Sequence, residues 1–269
     1  MLNGARARGA SVGLVPTMGA LHDGHLSLIR RARPENGLVV VSIFVNPTQF
    51  GPSEDLQLYP RDLERDRALA EAAGADVVFS PSVEEIYPEA YSTWVEVYDL
   101  ATGLCGASRP GHFRGVCTVV AKLINICRPE RAYFGQKDAQ QLAVVKRMVR
   151  DLNLGVDIVS CPTVREPDGL AMSSRNARLS AQERAQSTAL YRALRAAEES
   201  VRRGERDAAA LKDAARSVLA GAGLGKIDYV EIVRADDLSA VTTVMGECLI
   251  AVAVWFDSTR LIDNIVVLG

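Results

Sequence analysis

The chain has 269 residues, 48% hydrophobic and 24% charged, with a formal net charge of −2. This is the composition of an ordinary globular protein with room for one large domain and a smaller one, and it carries no basic footprint for nucleic acid. No apolar run has the length of a membrane helix and no secretory signal opens the chain, while Cys105, Cys117, Cys127, Cys161 and Cys248 lack C-x-x-C spacing and read as buried thiols of a reducing compartment, which makes the cytoplasm the expected location.

In chain order, residues 1–10 are polar and weakly patterned, a frayed segment or short helix. The apolar run 12–15 predicts a strand, and a helix is expected from about His25 to residue 33, broken at Pro34-Glu-Asn-Gly37. Residues 38–45 form an almost unbroken apolar run, the pattern of a strand buried on both faces of a parallel sheet. A charged helix over 62–73 ends at Gly74, and a third strand follows over 75–79. Val116, Val119, Val120, Leu123 and Cys127 have helical spacing, followed by a strand over 131–134, a helix capped by Asp138, and a strand over 156–159. Repeated β-α-β order argues for a doubly wound parallel sheet. After about residue 163 the pattern changes. Ser180-Ala-Gln-Glu183 reads as a capping box opening one helix with Leu190, Leu194, Ala197 and Val201 on a single face. A second helix over 207–220 and strands over 227–233, 248–256 and 262–268 complete a small α+β domain.

The stretch Val-Pro-Thr-Met-Gly-Ala-Leu-His-Asp-Gly-His (15–25) joins the first strand to the first helix. Gly19 and Gly24 allow backbone to approach a ligand closely. His22 and His25 stand near a helix N-terminus, where unpaired N–H groups and the helix dipole favour phosphate. Imidazole donors there can meet charge that develops in a transition state. A metal-binding pair or a packed pair are the other readings, and no Cys or acidic cluster nearby completes a metal site.

Four further segments are candidates. Phe-Val-Asn-Pro-Thr-Gln-Phe-Gly (44–51) follows the second strand, and Asn46 and Gln49 offer both donors and acceptors to hydroxyls and a carboxylate; an ordinary turn is the alternative. In Phe-Gly-Gln-Lys-Asp (134–138), Gly135 permits close approach, Lys137 can meet phosphate, and Asp138 can cap the helix or meet a ribose hydroxyl; Gln141 lies about one turn on. A lone lysine after a strand is otherwise solvent-facing. Ala-Met-Ser-Ser-Arg-Asn (171–176) can serve as a closing clamp on a triphosphate, or is simply a loop. Tyr-Pro-Arg-Asp (59–62) with Glu64 and Asp66 can hold Mg²⁺, or is a solvated acidic helix face.

Taken together and in register, residues 16–25, 44–50, 59–62, His-Phe-Arg-Gly-Val (112–116), 134–138 and Met-Ser-Ser-Arg-Asn (172–176) resemble the pantothenate synthetase (pantoate–β-alanine ligase) family, from about Val12 to Leu-Ile-Asp-Asn (261–264). The resemblance implies a Rossmann-like fold of the nucleotidylyltransferase superfamily: an ATP- and pantoate-binding domain over 1–163, and a smaller α+β domain over 164–269 forming a lid over the site. It implies a cytoplasmic homodimer that joins (R)-pantoate to β-alanine with ATP and Mg²⁺, through a pantoyl adenylate, releasing pyrophosphate and AMP. No nucleic acid or membrane partner is expected.

Carried onto this sequence, Met18, Gly19, Ala20, Leu21, His22, Asp23, Gly24 and His25 would line the ATP site, with both histidines on the phosphates and His25 the proton donor. Gly135, Gln136, Lys137 and Asp138 would bind ATP, Val164 would contact adenine through its backbone, and Met172, Ser173, Ser174 and Arg175 would form a mobile signature loop. His25, His22, Lys137 and Arg175 are the expected catalytic set; Gln49, Gln141 and Asn46 would hold pantoate, Gln49 would also touch β-alanine, and Asp66 is the expected Mg²⁺ ligand. The resemblance leads us to expect a longer segment before the first strand, and Gln136 stands where relatives carry Glu. Other nucleotidyl transferases share H-x-G-H without needing residues 46–50 or 172–176. An aminoacyl-tRNA synthetase fragment lacks a tRNA surface, and a catalytically dead nucleotide sensor would not need His22, His25, Lys137 and Arg175 intact.

Overall fold

In the computed structural model, which describes residues 2–52 and 54–269, the apolar runs of the first half become five parallel strands. The chain order is α1 (Leu2–Arg6), β1 (Val12–Thr17), α2 (Asp23–Ala32), β2 (Leu38–Ile43), α3 (Leu63–Ala73), β3 (Val77–Phe79), α4 (Val83–Ile86), α5 (Cys105–Ser108), α6 (His112–Cys127), β4 (Arg131–Gly135), α7 (Ala139–Asp151) and β5 (Asp157–Cys161). The strands lie in the order β3-β2-β1-β4-β5, and β1 pairs along its whole length with β2, from Val12↔Leu38 to Thr17↔Ile43. The winding therefore reverses between β1 and β4, and open α/β sheets bind ligands at the carboxyl ends of strands flanking such a reversal.

Period-two alternation divides the strand residues between two covered faces. Val15, Val39, Val41, Ile43 and Tyr133 pack with Leu26 and Ile29 of α2 and with Ala70 of α3. Leu14 and Val40 point the other way and are equally buried, and α6 packs on β1. The flanking helices start and stop where local chemistry dictates. Asp62 caps α3 by accepting the Arg65 N–H at 3.1 Å, and Gly74 closes it at φ +107°, a conformation that suits a residue without Cβ. α2 begins at Asp23, two residues earlier than its apolar pattern indicates, because His22 caps it.

The described residues form two units: those of Met1–Gln136 with Gln140–Pro162, and those of Lys137–Ala139 with Thr163–Gly269. The second unit holds α8 (Ala181–Ser187), α9 (Ala189–Arg202), α10 (Ala208–Ala220), and the antiparallel strands β6 (Gly225–Arg234), β7 (Glu247–Phe256) and β8 (Thr259–Leu268) in the order β6-β7-β8. Leu190, Leu194, Ala197 and Val201 form the buried face of α9 and join Ile250, Val252 and Val254 of β7 in one core. The capping box at Ser180 forms in full. The single helix expected beyond it is instead interrupted at Thr188. There the hydroxyls of Ser187 and Thr188 turn back onto the carbonyls of Arg184 and Ala185, and such bonds compete with the helical ladder.

All five cysteines are buried, and none forms a disulfide. Among the described residues no helix is long and apolar enough to cross a membrane.

Candidate active site

The loop after β1 is built around two opposed constraints. Gly19 sits at φ +82° and Ala20 at φ +51°, so the chain turns sharply out of the sheet. A Cβ on Gly19 would lie 2.9 Å from Asp66 Oδ2 and 3.1 Å from Ile43 Cγ2, which requires glycine there. The turn is held from outside by Asp66, whose Oδ2 accepts the Ala20 N–H and whose Oδ1 accepts the Leu21 N–H, both at 2.7 Å. Thr17 secures the base, donating to the Ser42 carbonyl at 2.7 Å and accepting the Gly19 N–H at 3.2 Å.

His22 and His25 follow at the start of α2 as a reciprocal cap. His22 Nδ1 accepts the Gly24 N–H at 3.1 Å, and His25 Nδ1 accepts the His22 N–H at 3.4 Å. The rings stand 4.1 Å apart, tilted by 38°. With each Nδ1 accepting from the backbone, the neutral rings carry their proton on Nε2. Two N–H donors on one helix start suit an anion better than a cation, so this geometry favours the phosphate reading of the pair over the metal one.

The segment after β2 folds into a 3₁₀ turn, Pro47–Gln49, whose cap is Asn46. Gln49 is held at both ends. Its carbonyl accepts from His112 Nδ1 at 2.8 Å and from Arg109 at 3.2 Å, and its side chain meets Asn46 Nδ2 at 3.1 Å and Met18 Sδ at 2.9 Å. Gly115 makes the fit possible, since a Cβ there would lie 2.4 Å from the Thr48 carbonyl oxygen. Arg109 is in turn fixed by Glu54 through bonds of 2.8 and 2.5 Å. Burial raises the Glu54 carboxyl, but the hydrogen bond and charge of Arg109 outweigh it and hold the group below its ordinary range. Asn46 is only 1% exposed and its amide is spent on Gln49, Gly115, Thr48 and Tyr87. Asn46, expected to hold pantoate, thus stands behind Gln49 with its amide bonded within the protein.

Gly135 ends β4, which lies next to β1 in the sheet, and Gln136 follows it. Of the neighbouring glutamines at the start of α7, Gln140 is buried and braces the 100–105 loop, donating to the carbonyls of Leu100 and Gly103 and accepting the Cys105 N–H. Gln141 is half-buried.

In the second unit, Lys137 Nζ lies 3.8 Å from Asp138 Oδ1, and the Lys137 carbonyl accepts from Asn264 Nδ2 at 2.8 Å. Asp138 closes a 3₁₀ turn, Gln136–Asp138, immediately before α7. Val164 accepts the Met172 N–H at 3.0 Å, so the residue expected at adenine and the start of the expected signature loop are tied together. Ser173 caps the 3₁₀ turn Ser174–Arg178 by accepting the Arg175 N–H at 3.3 Å. Asn176 donates to Glu166 at 2.8 Å and to the Ala171 carbonyl at 3.1 Å, and Arg184 joins Glu166 to Asp168. Arg165 binds the buried Asp263 through both nitrogens at 2.5 and 3.0 Å. This explains the Leu-Ile-Asp-Asn segment: Asp263 anchors the 165–171 hairpin and Asn264 anchors Lys137.

No group of three or more His, Cys, Asp or Glu residues able to hold a metal ion occurs among the described residues. Both oxygens of Asp66, the expected Mg²⁺ ligand, accept backbone N–H groups of the motif loop. The described residues do not form a protein cage for Mg²⁺. Sequence reasoning also passed over His112, Arg109 and Tyr87; the His-Phe-Arg-Gly string was visible, but its partner, Gln49, lies 63 residues away.

The sequence profile described as Pantoate-beta-alanine ligase matches residues 1–266. The pantothenate synthetase of Thermotoga neapolitana is 60% identical over 259 residues, covering 96% of this chain and 92% of the relative. That of Moorella thermoacetica is 58% identical over 262 residues, covering 97% and 93%. The crystal structure of pantothenate synthetase from Thermus thermophilus superposes with a TM-score of 0.95 at 50% identity, covering all of this chain and 98% of that one. The Francisella tularensis pantoate-beta-alanine ligase, complexed with beta-gamma ATP and beta-alanine, gives 0.80 at 36% identity, covering 98% and 94%. The motifs, the sheet order and these relationships agree, and the chain belongs to the pantoate–β-alanine ligase family.

Proposed function

We propose that this chain condenses (R)-pantoate with β-alanine in two steps at one site, through a bound pantoyl adenylate. The observation that carries the reading is the pair of histidines at the start of α2, each with Nδ1 turned to backbone N–H, which leaves Nε2 as the donor of the neutral ring, at the strand ends flanking the sheet reversal.

In the first step a pantoate carboxylate oxygen attacks the α-phosphorus of ATP, and the bond to the bridging oxygen breaks as pyrophosphate leaves. The nucleophile is already ionised, so positioning and charge neutralisation dominate and no general base is needed. His22 and His25 donate to the phosphates. Gly19, Gly24 and Gly135 let backbone close on the nucleotide, Val164 meets adenine, and Gln49 and Gln141 hold pantoate. In the second step the neutral amine of β-alanine attacks the acyl carbon, AMP leaves, and the amine proton passes to solvent. Mg²⁺ enters with the ATP phosphates as part of the substrate, the usual way this ion is bound. A homodimer in the cytoplasm completes the proposal, and sedimentation velocity tests the dimer.

The test is pyrophosphate release from Mg–ATP and pantoate, with and without β-alanine. The two-step reading expects a pantoate-dependent burst of about one pyrophosphate per site without β-alanine, and sustained turnover with it. Release that ignores pantoate, or none despite bound ATP, overturns it.

A further inference from the structure

The hydrogen bonds around Gln49 fix which end of its amide faces outward. The backbone N–H of Thr48 can only donate, so the Asn46 atom 3.3 Å from it is Oδ1. The Gly115 carbonyl can only accept, so the Asn46 atom 3.1 Å from it is Nδ2. The Asn46 amide thus has one orientation, and the second proton of Nδ2 goes to Gln49 at 3.1 Å, where it must meet Oε1. Gln49 Nε2 is left on the opposite side, toward Met18 Sδ, a weak acceptor on the motif loop.

One further group reinforces this polarity. The Tyr87 hydroxyl donates to Asn46 Oδ1 at 2.9 Å and lies 3.1 Å from Thr48 Oγ1. Its ring stacks on Trp94 at 6.2 Å, with Tyr91 edge-on at 5.1 Å and the Lys122 ammonium 5.4 Å from the ring centre. Burial pushes the phenol up from its ordinary range, so Tyr87 remains a donor at neutral pH.

We propose that Tyr87 is a positioning residue of the acid-substrate site: its hydroxyl adds to the Thr48 and Gly115 bonds that hold the Asn46 amide, Asn46 holds Gln49, and Gln49 thereby presents a pure donor to the carboxylate or hydroxyl oxygens of the substrate. The proposal rests on the reading that Gln49 holds pantoate. It makes the site selective for oxygen acceptors, since a ligand offering N–H at that point would meet another N–H.

The test is steady-state kinetics with pantoate and Mg–ATP varied separately. Tyr87→Phe keeps the ring and removes the donor, and should raise the pantoate KM about five- to tenfold while the ATP KM stays within twofold. A pantoate KM within twofold of the parent overturns the relay, and so does an equal rise in both KM values, the mark of a general structural defect. Asn46→Asp is the second variant, needed if Tyr87→Phe does not fold. It preserves shape but cannot donate to Gln49, and should raise the pantoate KM more than tenfold; an unchanged value overturns the proposal. Repeating Tyr87→Phe in a Gln49→Ala background should add nothing, whereas the same factor in both backgrounds places the effect elsewhere and overturns it. If Gln49→Ala raises the pantoate KM but Tyr87→Phe does not, only the relay fails. If Gln49→Ala leaves it unchanged, the assignment of Gln49 to pantoate fails and the relay with it.

Discussion

Asp66 Oδ2 accepts the Ala20 N–H at 2.7 Å, and its other oxygen accepts the next N–H along the chain. A carboxylate from α3 thus holds the turn that delivers the histidine pair. Asp66→Ala should strand two amides and lower stability by about 2–4 kcal/mol, with a fall in kcat/KM for ATP; denaturant unfolding and initial rates check both. A variant of parental stability whose only change is a weaker response to Mg²⁺ would return Asp66 to the role of metal ligand.

His25→Ala removes one of the two proposed phosphate donors while leaving the His22 bond to Gly24 in place. The expected loss in the adenylation step is about 10²–10³-fold, the range for removing one preorganised donor to developing charge. Single-turnover quench measurements read that step directly, and a loss of only a few-fold removes the electrostatic role.

Glu54 is held below its ordinary value of 4.5 by Arg109, against the opposing effect of burial. A depressed carboxyl contributes stability that is present above its unfolded value and is lost as pH falls through the folded one. Glu54→Gln should therefore lower the melting temperature at pH 7, and the gap to the parent should close progressively below about pH 4.5. A gap that stays constant into acid would mean that the Arg109 pairing does not stabilise the Gln49 carbonyl clamp.

Burial pushes the Cys117 thiol up to about 12 and the Cys127 thiol up to about 11. A thiol reagent such as Ellman's should accordingly leave the native chain nearly unlabelled at pH 8 and titrate all five cysteines once denaturant is added. Rapid labelling of the native protein would place one of them at the surface.

Local features were legible in the sequence in proportion to how local their physics is. The capping box at Ser180 forms in full, and Asp62 and Gly74 bracket α3 as their residue types require. The apolar run that becomes β2 marks a strand covered on both sides. The break at Thr188 was hidden because the apolar face of α9 continues the helical period past it, while the bonds that cause the break come from hydroxyls compatible with either outcome. Asp66 was visible as an acid but not as a brace, since its partners lie 45 and 46 residues upstream. Tyr87 and Asn46 were obscured in the same way, 41 residues apart and joined only by folding. Residues that touch ligand tend to lie in contiguous strings, because a loop after a strand delivers several at once. The residues that orient them come from elsewhere in the chain.

The three residues Lys137–Ala139 group with the C-terminal unit although α7 returns the chain to the first. Any scheme that treats the protein as two exchangeable modules joined at residue 163 therefore cuts in the wrong place. A fragment of residues 163–269 alone would leave Asn264 without the Lys137 carbonyl. Because that partner is a main-chain carbonyl, which any residue at 137 supplies, shuffled libraries of this family should keep the anchor wherever residue 264 is Asn, whichever parent contributes residues 137–139.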